Sequence, residues 1–389
     1  MIGCVAVLCI SIGQSYAKVS EKQEERFVQS IGEIHSYGDY KWVTSFQSAD
    51  GTIYLHGKKK STDGGRTVVP HDEPAFDEMA KIPEGAIFCR DGLFLALDGP
   101  THYISPGVYR VRAWCSIDNL KTIKEEQAIV NVPEGPRRER EKGEWFGLYF
   151  HRTILEMPDL PVRLPVRCTQ TGKERTQTGG TLLATMTGNF EDDKIIPIDR
   201  QSKRETKYKQ RSFVVYSNDK GKNWNYLSTI AYPEPEDPVG EGFDEPSMVR
   251  LDDGRLLCVM RTGHHTPLYA CWSEDDGKTW TKPVYTGLER GCDPCLLKLS
   301  DGRLLLSYGQ RFPPGSDIDA SAKWVWPGQG LVKLAISEDG TGKNWVETTI
   351  GAEMGSCYST IIEVEPNVIF CQVDGWFWRV TLRPRKDEG

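Results

Sequence analysis

Ionisable and aromatic side chains recur at matching places in six strand–turn–strand segments of this chain. Most of them lie eight residues before the residue that precedes a turn glycine, or seven residues after that glycine, and the others lie close beside these positions. The set consists of Lys41, Trp42, Lys58, His151, Arg152, Glu245, Arg261, Asp293, Arg311, Tyr358 and Asp374. Carboxylates, histidine and tyrosine can transfer protons, whereas arginine and lysine bind anions. Such a mixture suits an acidic or polyhydroxyl ligand, and sugars are ligands of that kind.

Each of these residues has an ordinary structural explanation when it is taken alone. A charged residue is typical of a solvated loop end, Trp42 would suit core packing, and Asp293 before Pro294 would suit a turn cap. The functional interpretation therefore depends on the whole set meeting at one place. That requires a fold that gathers the starts of several strands.

A repeated turn indicates which fold this is. The pattern Ser–x–Asp–x–Gly–x–Thr/Asn–Trp lies at 217–224 and 273–280, and at 337–345 with one inserted residue, while degenerate copies lie at 61–68 and 116–123. Each copy follows an apolar run typical of a β-strand. The Ser and Asp side chains can bond nearby backbone amides, Gly can take a positive φ, and Trp can pack back onto the sheet. Several such turns after strands define a structural repeat.

Six hairpins accompany these turns. They turn at 50–51, 91–92, 179–180, 253–254, 301–302 and 366–367. The pattern predicts an all-β protein, a six-bladed β-propeller of four-stranded antiparallel blades, over about 37–386. The predicted blades are 37–80, 81–135, 144–233, 240–288, 289–350 and 351–386. In a propeller the innermost strand of every blade starts at the mouth of the central channel, so the predicted ring of side chains converges there.

Composition limits the class of protein. A hydrophobic content of 38% with 10% aromatic residues is sufficient for a packed core. The net charge of −7, without a basic stripe, argues against a nucleic-acid partner. We expect a monomer whose partner is a glycan or polysaccharide.

The N-terminus resembles an export signal. Residues 1–17 contain the apolar stretch 5–10 and end in a small-residue motif at Ala17, which predicts a secreted or periplasmic protein. The competing interpretation is a buried N-terminal strand. Residues 18–36 are polar and fit either a strand that closes the ring or a loose leader. No other run approaches the length of a membrane span.

The cysteines favour buried thiols over a metal site. The chain has 11 cysteines, most of them inside strand-like runs. Cys292–x–x–Cys295 has a metal-like spacing, but Pro294 separates the two and no second pair follows at zinc-ribbon distance. We therefore expect no metal and no cofactor.

The repeated turns resemble the Asp-boxes of the sialidase superfamily, and the resemblance spans about 37–386. The segment 244–261 resembles the part of exo-sialidases that carries the catalytic glutamate and the second arginine of the substrate-binding triad. The segment 356–360 resembles the family's Tyr-Ser segment. The resemblance implies a retaining exo-glycosidase in which Tyr358 is the nucleophile, Glu245 its base and Arg261 a clamp for the sugar's carboxylate.

The chain departs from that family in its first blade. Lys41, Trp42 and Val43 stand where the family has Arg-Ile-Pro, and only Arg311 or Lys323 is available as a third arginine equivalent. Lysine cannot reproduce the planar fork of a guanidinium.

Residues of the third blade offer a replacement for what is missing. His151 can act as an acid or base, and Arg152 can act as a clamp. Two alternatives therefore stay open. One is a hydrolase or lyase that acts through His151 on a uronate- or deoxysugar-containing polysaccharide, and the other is a propeller that binds carbohydrate without catalysis.

Overall fold

The computed structural model describes residues 27–40, 43–73, 76, 85–135, 148–158, 180–195, 208–237, 239–263, 266–310, 330–354 and 357–385. The predicted export signal, 1–17, lies outside these residues, as do Lys41, Trp42, Arg311 and Lys323. Within the described ranges, no helix is long and apolar enough to cross a membrane.

The strands follow one another along the chain in groups of four. The two N-terminal strands are β1 (Val28–Ile31) and β2 (His35–Ser36). Blade one has β3 (Ser45–Gln47), β4 (Ile53–Leu55), β5 (Lys59–Ser61) and β6 (Val69–Pro70). Blade two has β7 (Gly85–Phe88), β8 (Phe94–Leu97), the accessory β9 (His102–Ser105), β10 (Val108–Ser116) and β11 (Lys124–Asn131). Blade three has β12 (Tyr149–Glu156), β13 (Leu182–Gly188), β14 (Arg211–Ser217) and β15 (Asn223–Ala231).

The second half repeats this order. Blade four has β16 (Asp244–Arg250), β17 (Leu256–Arg261), β18 (Tyr269–Ser273) and β19 (Val284–Tyr285). Blade five has β20 (Cys292–Lys298), β21 (Leu304–Gln310), β22 (Leu331–Ser337) and β23 (Val346–Ala352). Blade six has β24 (Ser359–Glu365), β25 (Val368–Val373) and β26 (Trp376–Leu382), and β1 supplies its fourth strand. The predicted six-bladed propeller with antiparallel four-stranded blades is confirmed.

The N-terminal strand closes the ring. β1 pairs antiparallel with β26, with Val28 opposite Leu382 and Ile31 opposite Val380, and β2 pairs with the other end of β26. Of the two possibilities left open for 18–36, its described part is therefore the closing strand. The propeller begins before residue 37, the boundary that the hairpins predict.

The core lies between neighbouring blades. Buried apolar side chains form six clusters, and each cluster joins the residues of two adjacent blades. The cluster between blades one and six, which includes Ile53, Leu55 and Phe370, completes the circle. In a ring of this kind, both faces of every blade are covered by the neighbouring blades.

One connection between blades was not foreseen. The outer strands β11 and β15 pair in parallel, with Ile129 opposite Asn223 and Asn131 opposite Asn225, so that blades two and three share one continuous sheet. The Asn131 side chain also donates a hydrogen bond of 3.2 Å to Asn225. Nothing in the repeat spacing of the sequence predicts this link.

The Asp-box turns form the hydrogen bonds that their residue types predict. In blade three, the Gly221 amide donates to Ser217 Oγ at 2.9 Å and the Asn223 amide donates to Asp219 Oδ1 at 2.9 Å. Trp224 is fully buried, and its indole N–H donates to Gly221 O at 3.0 Å. The degenerate copy in blade two keeps this scheme, although Leu120 must take a left-handed φ of 64° where other copies have glycine.

Each box glycine also packs against the second strand of the preceding blade. A Cβ at Gly221 would stand 2.4 Å from Leu95, and a Cβ at Gly342 would stand 2.3 Å from Leu257. Gly65 makes the corresponding approach to Phe370 of blade six across the closure. The boxes are therefore contacts between blades as well as turns within blades.

Blade six has no such box, because the chain ends meet where the turn would be. Arg303 of blade five fills this boundary and is only 1% exposed. Its guanidinium donates to Asp301 Oδ2 at 2.8 Å, to Arg383 O at 3.1 Å and to the Asn367 side chain. The Arg383 amide in turn donates to Phe27 O at 2.7 Å. A buried guanidinium thus connects the ends of the chain to blade five.

We predict that Arg303→Met lowers the free energy of unfolding by about 3 kcal/mol, because several buried hydrogen-bond acceptors lose a charged donor. Arg255→Met is the matched control. Arg255 holds the equivalent place in blade four and pairs with Asp253, but that pair is exposed. Its replacement should cost less than about 1 kcal/mol. Urea unfolding of both variants tests this, and equal losses would contradict the role of Arg303.

Candidate active site

In blades three to six, a residue with a left-handed φ at the start of the innermost strand positions part of the predicted ring. In blade four the register of β16 with β17 jumps between Asp244, opposite Arg261, and Ser247, opposite Val259. The bulged Glu245 takes a left-handed φ of 45°. Such a φ is costly for a residue with a side chain, so it occurs where the surrounding structure imposes it. Here the bulge breaks the alternation of side chains between the two faces of the sheet, and this re-aims the carboxylate of Glu245.

Three other blades repeat this conformation. Asp293 in blade five, Arg152 in blade three and Cys357 in blade six have φ values of 50°, 43° and 59°. Each lies two residues before the next paired position of its strand. Glu245 and Asp293 are therefore structurally equivalent, as the counting from the turns predicts.

The counting places blades three and six one residue away from the observed equivalence. It selects His151 and Tyr358, whereas Arg152 and Cys357 take the bulged position. In blade six the reason is an additional register shift between Glu363 and Glu365. In blade three the count starts from 159, which lies outside the described residues. The error is small, because the neighbouring residue lies at the same end of the strand.

Glu245 lies at the centre of the site. Its Oε1 accepts a hydrogen bond from the Tyr358 hydroxyl and another of 2.7 Å from Arg261 Nη1. Its Oε2 accepts a bond of 2.6 Å from the Asp293 backbone amide. Glu245 is buried and Tyr358 is half-buried. Blades four, five and six thus bring together residues that are far apart in sequence, as the propeller predicts.

Arg261 connects two carboxylates. Its Nη2 lies 2.8 Å from Glu241 Oε2, while its Nη1 binds Glu245. Burial by itself lowers the pKa of Arg261, but Glu241 and Glu245 more than offset this and raise the pKa well above its ordinary value. The guanidinium is therefore charged at every pH at which the protein is folded.

Arg152 and Asp293 form a second buried pair. Arg152 Nε donates to Asp293 Oδ1 at 2.8 Å and Nη2 donates to Oδ2, which is the bidentate geometry of strong pairs. Their side chains are 7% and 0% exposed. The pair reaches from blade three to blade five past Glu245 of blade four. Both residues were predicted to bind substrate, but in this structure they bind each other.

Burial has the largest effect on the pKa of Asp293. It raises the pKa of this carboxyl to about 6 even though Arg152 opposes the shift, and the negative charge of Glu245 adds to the increase. The pKa of Asp244 is raised too, first by burial and then by Glu245. Several carboxyl groups therefore compete for few positive charges in this part of the molecule.

His151 lies among these carboxyl groups. Its positive form would lower the pKa of both Asp244 and Asp293, so it is near both side chains. Its backbone carbonyl accepts a hydrogen bond of 2.5 Å from Thr185 Oγ1. Its Nδ1 is buried and has no hydrogen-bond partner among the described residues.

Lys58 and Asp374 lie in the turns that follow the second strands of blades one and six, at the positions that the spacing predicts. Each has a left-handed φ, of 54° and 48°. The Asp374 carbonyl accepts hydrogen bonds from the Tyr37 hydroxyl at 2.8 Å and from Gln372 Nε2 at 2.6 Å. The Lys58 carbonyl accepts from the His71 amide at 3.0 Å. These bonds fix the backbone of blades one and six and do not involve Glu245.

The sequence does not identify Glu241 as a partner of Arg261, nor Asp244 as a buried carboxyl group beside Glu245. Glu241 lies before β16 in a segment without a repeat landmark, and Asp244 was noted only as part of a family-like segment. The only available signal was the density of acidic residues just before that strand.

The cysteine prediction concerns the same region. Cys292 and Cys295 are free thiols in the structure. The described residues contain no group of three or more His, Cys, Asp or Glu side chains that could hold a metal ion.

Comparison with known proteins places this propeller in a family. The family model described as a BNR repeat-like domain matches residues 149–369, more than half of the 389 residues. The chain belongs to this BNR repeat-like family. No curated protein matches it.

Solved structures share the fold at low identity. A protein of unknown function from Dyadobacter fermentans is 17% identical, with a TM-score of 0.55 over 93% of this chain and 96% of that one. A Hadza microbial sialidase is 14% identical, with a TM-score of 0.54 over 88% of this chain and 65% of the sialidase. An alpha-L-arabinanase from Penicillium chrysogenum is 12% identical, with a TM-score of 0.52 over 93% and 99% of the two chains. At such identities the likeness establishes the propeller and not the activity.

We predict a strong energetic coupling between Arg152 and Asp293. Asp293→Ala should lower the free energy of unfolding by about 3–5 kcal/mol, because Arg152 is left buried without either of its carboxylate hydrogen-bond acceptors. Adding Arg152→Met should recover at least about 1 kcal/mol relative to the sum of the single losses. Urea unfolding at neutral pH measures this cycle. The exposed pair Arg112–Asp98 is the control, with a coupling below about 1 kcal/mol.

The raised pKa of Asp293 predicts how stability depends on pH. The folded protein holds this proton up to about pH 6, whereas an unfolded aspartate releases it near about pH 4. Asp293 thus contributes stability that is fully present below about pH 4 and is lost as the pH rises through about 6. The free energy of unfolding of the wild type, minus that of Asp293→Asn, should fall across this window. A difference that is flat or rises with pH would contradict the shift.

Proposed function

We propose that this protein is a retaining exo-glycosidase that cleaves a terminal acidic sugar from a glycan. The observation that carries the proposal is the hydrogen bond from the Tyr358 hydroxyl to the buried carboxylate of Glu245. A phenol is a weak nucleophile until a base removes its proton, and a carboxylate in direct contact is such a base. Their spacing in the sequence and their resemblance to the sialidase segments support the same roles.

The reaction takes place in two steps. Tyr358 Oη attacks the anomeric carbon while Glu245 accepts its proton, and the glycosidic C–O bond breaks as the leaving oxygen receives a proton from an acid. Water then attacks the anomeric carbon and gives a proton to the deprotonated acid, while the bond from that carbon to Tyr358 Oη breaks and the phenol takes back its proton from Glu245. A neutral phenol avoids the repulsion that a carboxylate nucleophile would meet from an acidic sugar. We assign the acid to His151, because an imidazole can donate a proton and His151 adjoins Arg152, which binds Asp293 beside Glu245.

Recognition of the acidic group is assigned to Arg261. A guanidinium binds a carboxylate through two parallel hydrogen bonds, which fixes the orientation of the sugar. Arg311 and Lys41 remain further candidates from the sequence, and Asp374 and Lys58 lie in the turns after matching strands of the neighbouring blades. The sialidase and arabinanase among the structural neighbours act on glycans by their names, which supports a glycan as the substrate.

A second candidate function is favoured by His151. A histidine with a buried Nδ1 beside acidic groups could remove a proton from a uronate and cause elimination, or assist hydrolysis of a deoxysugar polysaccharide. This candidate does not use Tyr358. Binding of carbohydrate without turnover is the third outcome. For both candidates we propose that residues 1–17 direct export and that the protein works as a monomer.

We predict that Tyr358→Phe and Glu245→Gln each lower kcat for aryl glycosides of acidic sugars by about a hundredfold or more, because each removes one half of the nucleophile–base pair. Tyr285→Phe, an exposed tyrosine of blade four, is the control and should retain full activity. Initial rates on sialic acid and uronic acid substrates measure this.

Other outcomes identify the alternatives. Full turnover by Tyr358→Phe would exclude this nucleophile. An ultraviolet-absorbing unsaturated uronate, lost only in His151→Ala, would establish elimination. Binding of acidic glycans without any product, measured by mass analysis, would establish a binding protein.

A further inference from the structure

We infer that Glu241 is a specificity-determining residue that competes with the substrate's carboxylate for Arg261. This inference rests on the proposed function, in which Arg261 binds the acidic group of a sugar. Glu241 would hold the guanidinium in place and release it to an acidic sugar. The affinity for acidic sugars is then the difference between two carboxylate contacts with the same cation.

The geometry of Arg261 places the carboxylate of a sugar in competition with the carboxylates of Glu241 and Glu245. Arg261 Nη1 binds Glu245 and Nη2 binds Glu241, at 2.7 and 2.8 Å. A bidentate carboxylate requires two neighbouring N–H groups of one guanidinium. Each Nη carries a second N–H, but a sugar carboxylate that accepts it stands beside the negative charge of Glu241 or Glu245 on the same guanidinium.

Glu241 is the one that can leave at lower cost. Its side chain is 20% exposed, against 6% for Glu245. Glu245 is also held by the Tyr358 hydroxyl and by the Asp293 amide. A carboxylate that already touches water recovers its hydration more easily than one that is buried and fully bonded.

The backbone of Glu241 is fixed, so the exchange is a rotation of its side chain. The Glu241 amide donates to Thr262 O at 2.9 Å, and the Gln210 amide donates to Glu241 O at 2.8 Å. The following Gly242 has a φ of 96°, and a Cβ there would stand 2.4 Å from Gln210 N. Neither residue can shift its main chain without breaking these contacts.

Charge makes the competition measurable. One guanidinium already balances two carboxylates, so a third negative charge beside it is unfavourable unless one of the first two moves away. Replacing Glu241 by glutamine removes that charge, while the amide oxygen can still accept a hydrogen bond from Arg261 and keep it in position. The replacement should therefore favour acidic ligands without altering the binding of uncharged ones.

The test uses binding in a background that cannot react. Tyr358→Phe and Tyr358→Phe/Glu241→Gln are titrated calorimetrically with 2,3-didehydro-2-deoxy-N-acetylneuraminic acid and with its methyl ester. We expect Glu241→Gln to tighten the acid about tenfold, which corresponds to about 1.4 kcal/mol, and to leave the ester unchanged. Glu365→Gln, at the opposite end of β24 and exposed, is the matched control and should alter neither affinity.

The outcomes separate this inference from the proposed function. Equal or weaker binding of the acid after Glu241→Gln, or an equal gain for the ester, would overturn the inference. Absence of binding in both proteins would overturn it too, since Arg261 would then not be a carboxylate site. Turnover is measured separately with Tyr358 present. Hydrolysis without the affinity gain removes only this inference, whereas an affinity gain without hydrolysis removes only the proposed catalysis.

Discussion

The site depends on the hydrogen bonds of one buried carboxylate, that of Glu245. It accepts hydrogen bonds from a tyrosine of blade six, an arginine of its own blade and a backbone amide of blade five. A buried carboxylate is tolerated only when such partners compensate for its lost hydration. The same three bonds orient it towards Tyr358. The hydrogen bonds that stabilise the buried carboxylate are therefore the same ones that fix its position beside Tyr358.

The propeller supplies this arrangement through strained bulges and ring closure. Left-handed residues at the starts of the innermost strands direct Arg152, Glu245 and Asp293 inwards, where they meet across blade boundaries. Such conformations persist only when the surrounding structure imposes them. Six interblade cores, the Asp-box contacts and the closing strand β1 provide that rigidity. Arg303 stabilises the boundary at which the chain ends meet and no box is present.

Regular spacing explains what could be predicted from the sequence. Because the hairpins and boxes repeat, the blades and the equivalence of Glu245 with Asp293 follow from counting, and the family-like segments identify Tyr358. Counting is off by one in blade six, since a register shift at Glu363 adds a residue that no local signal reveals. The pairing of Arg152 with Asp293, and of Arg261 with Glu241, depends on distances between blades, which a sequence does not specify.

The positive charges of the site are already balanced by carboxylates of the protein. The described site has two arginines, each paired with protein carboxylates, and the proposed acidic sugar would compete with those carboxylates. The most direct test of the central claim is covalent trapping at Tyr358. A 2,3-difluoro acidic sugar should form a slowly hydrolysed adduct, seen as an increase in intact mass, and peptide mapping should place the sugar on Tyr358. Labelling of a different residue, or turnover of acidic glycosides without any tyrosine adduct, would contradict the account.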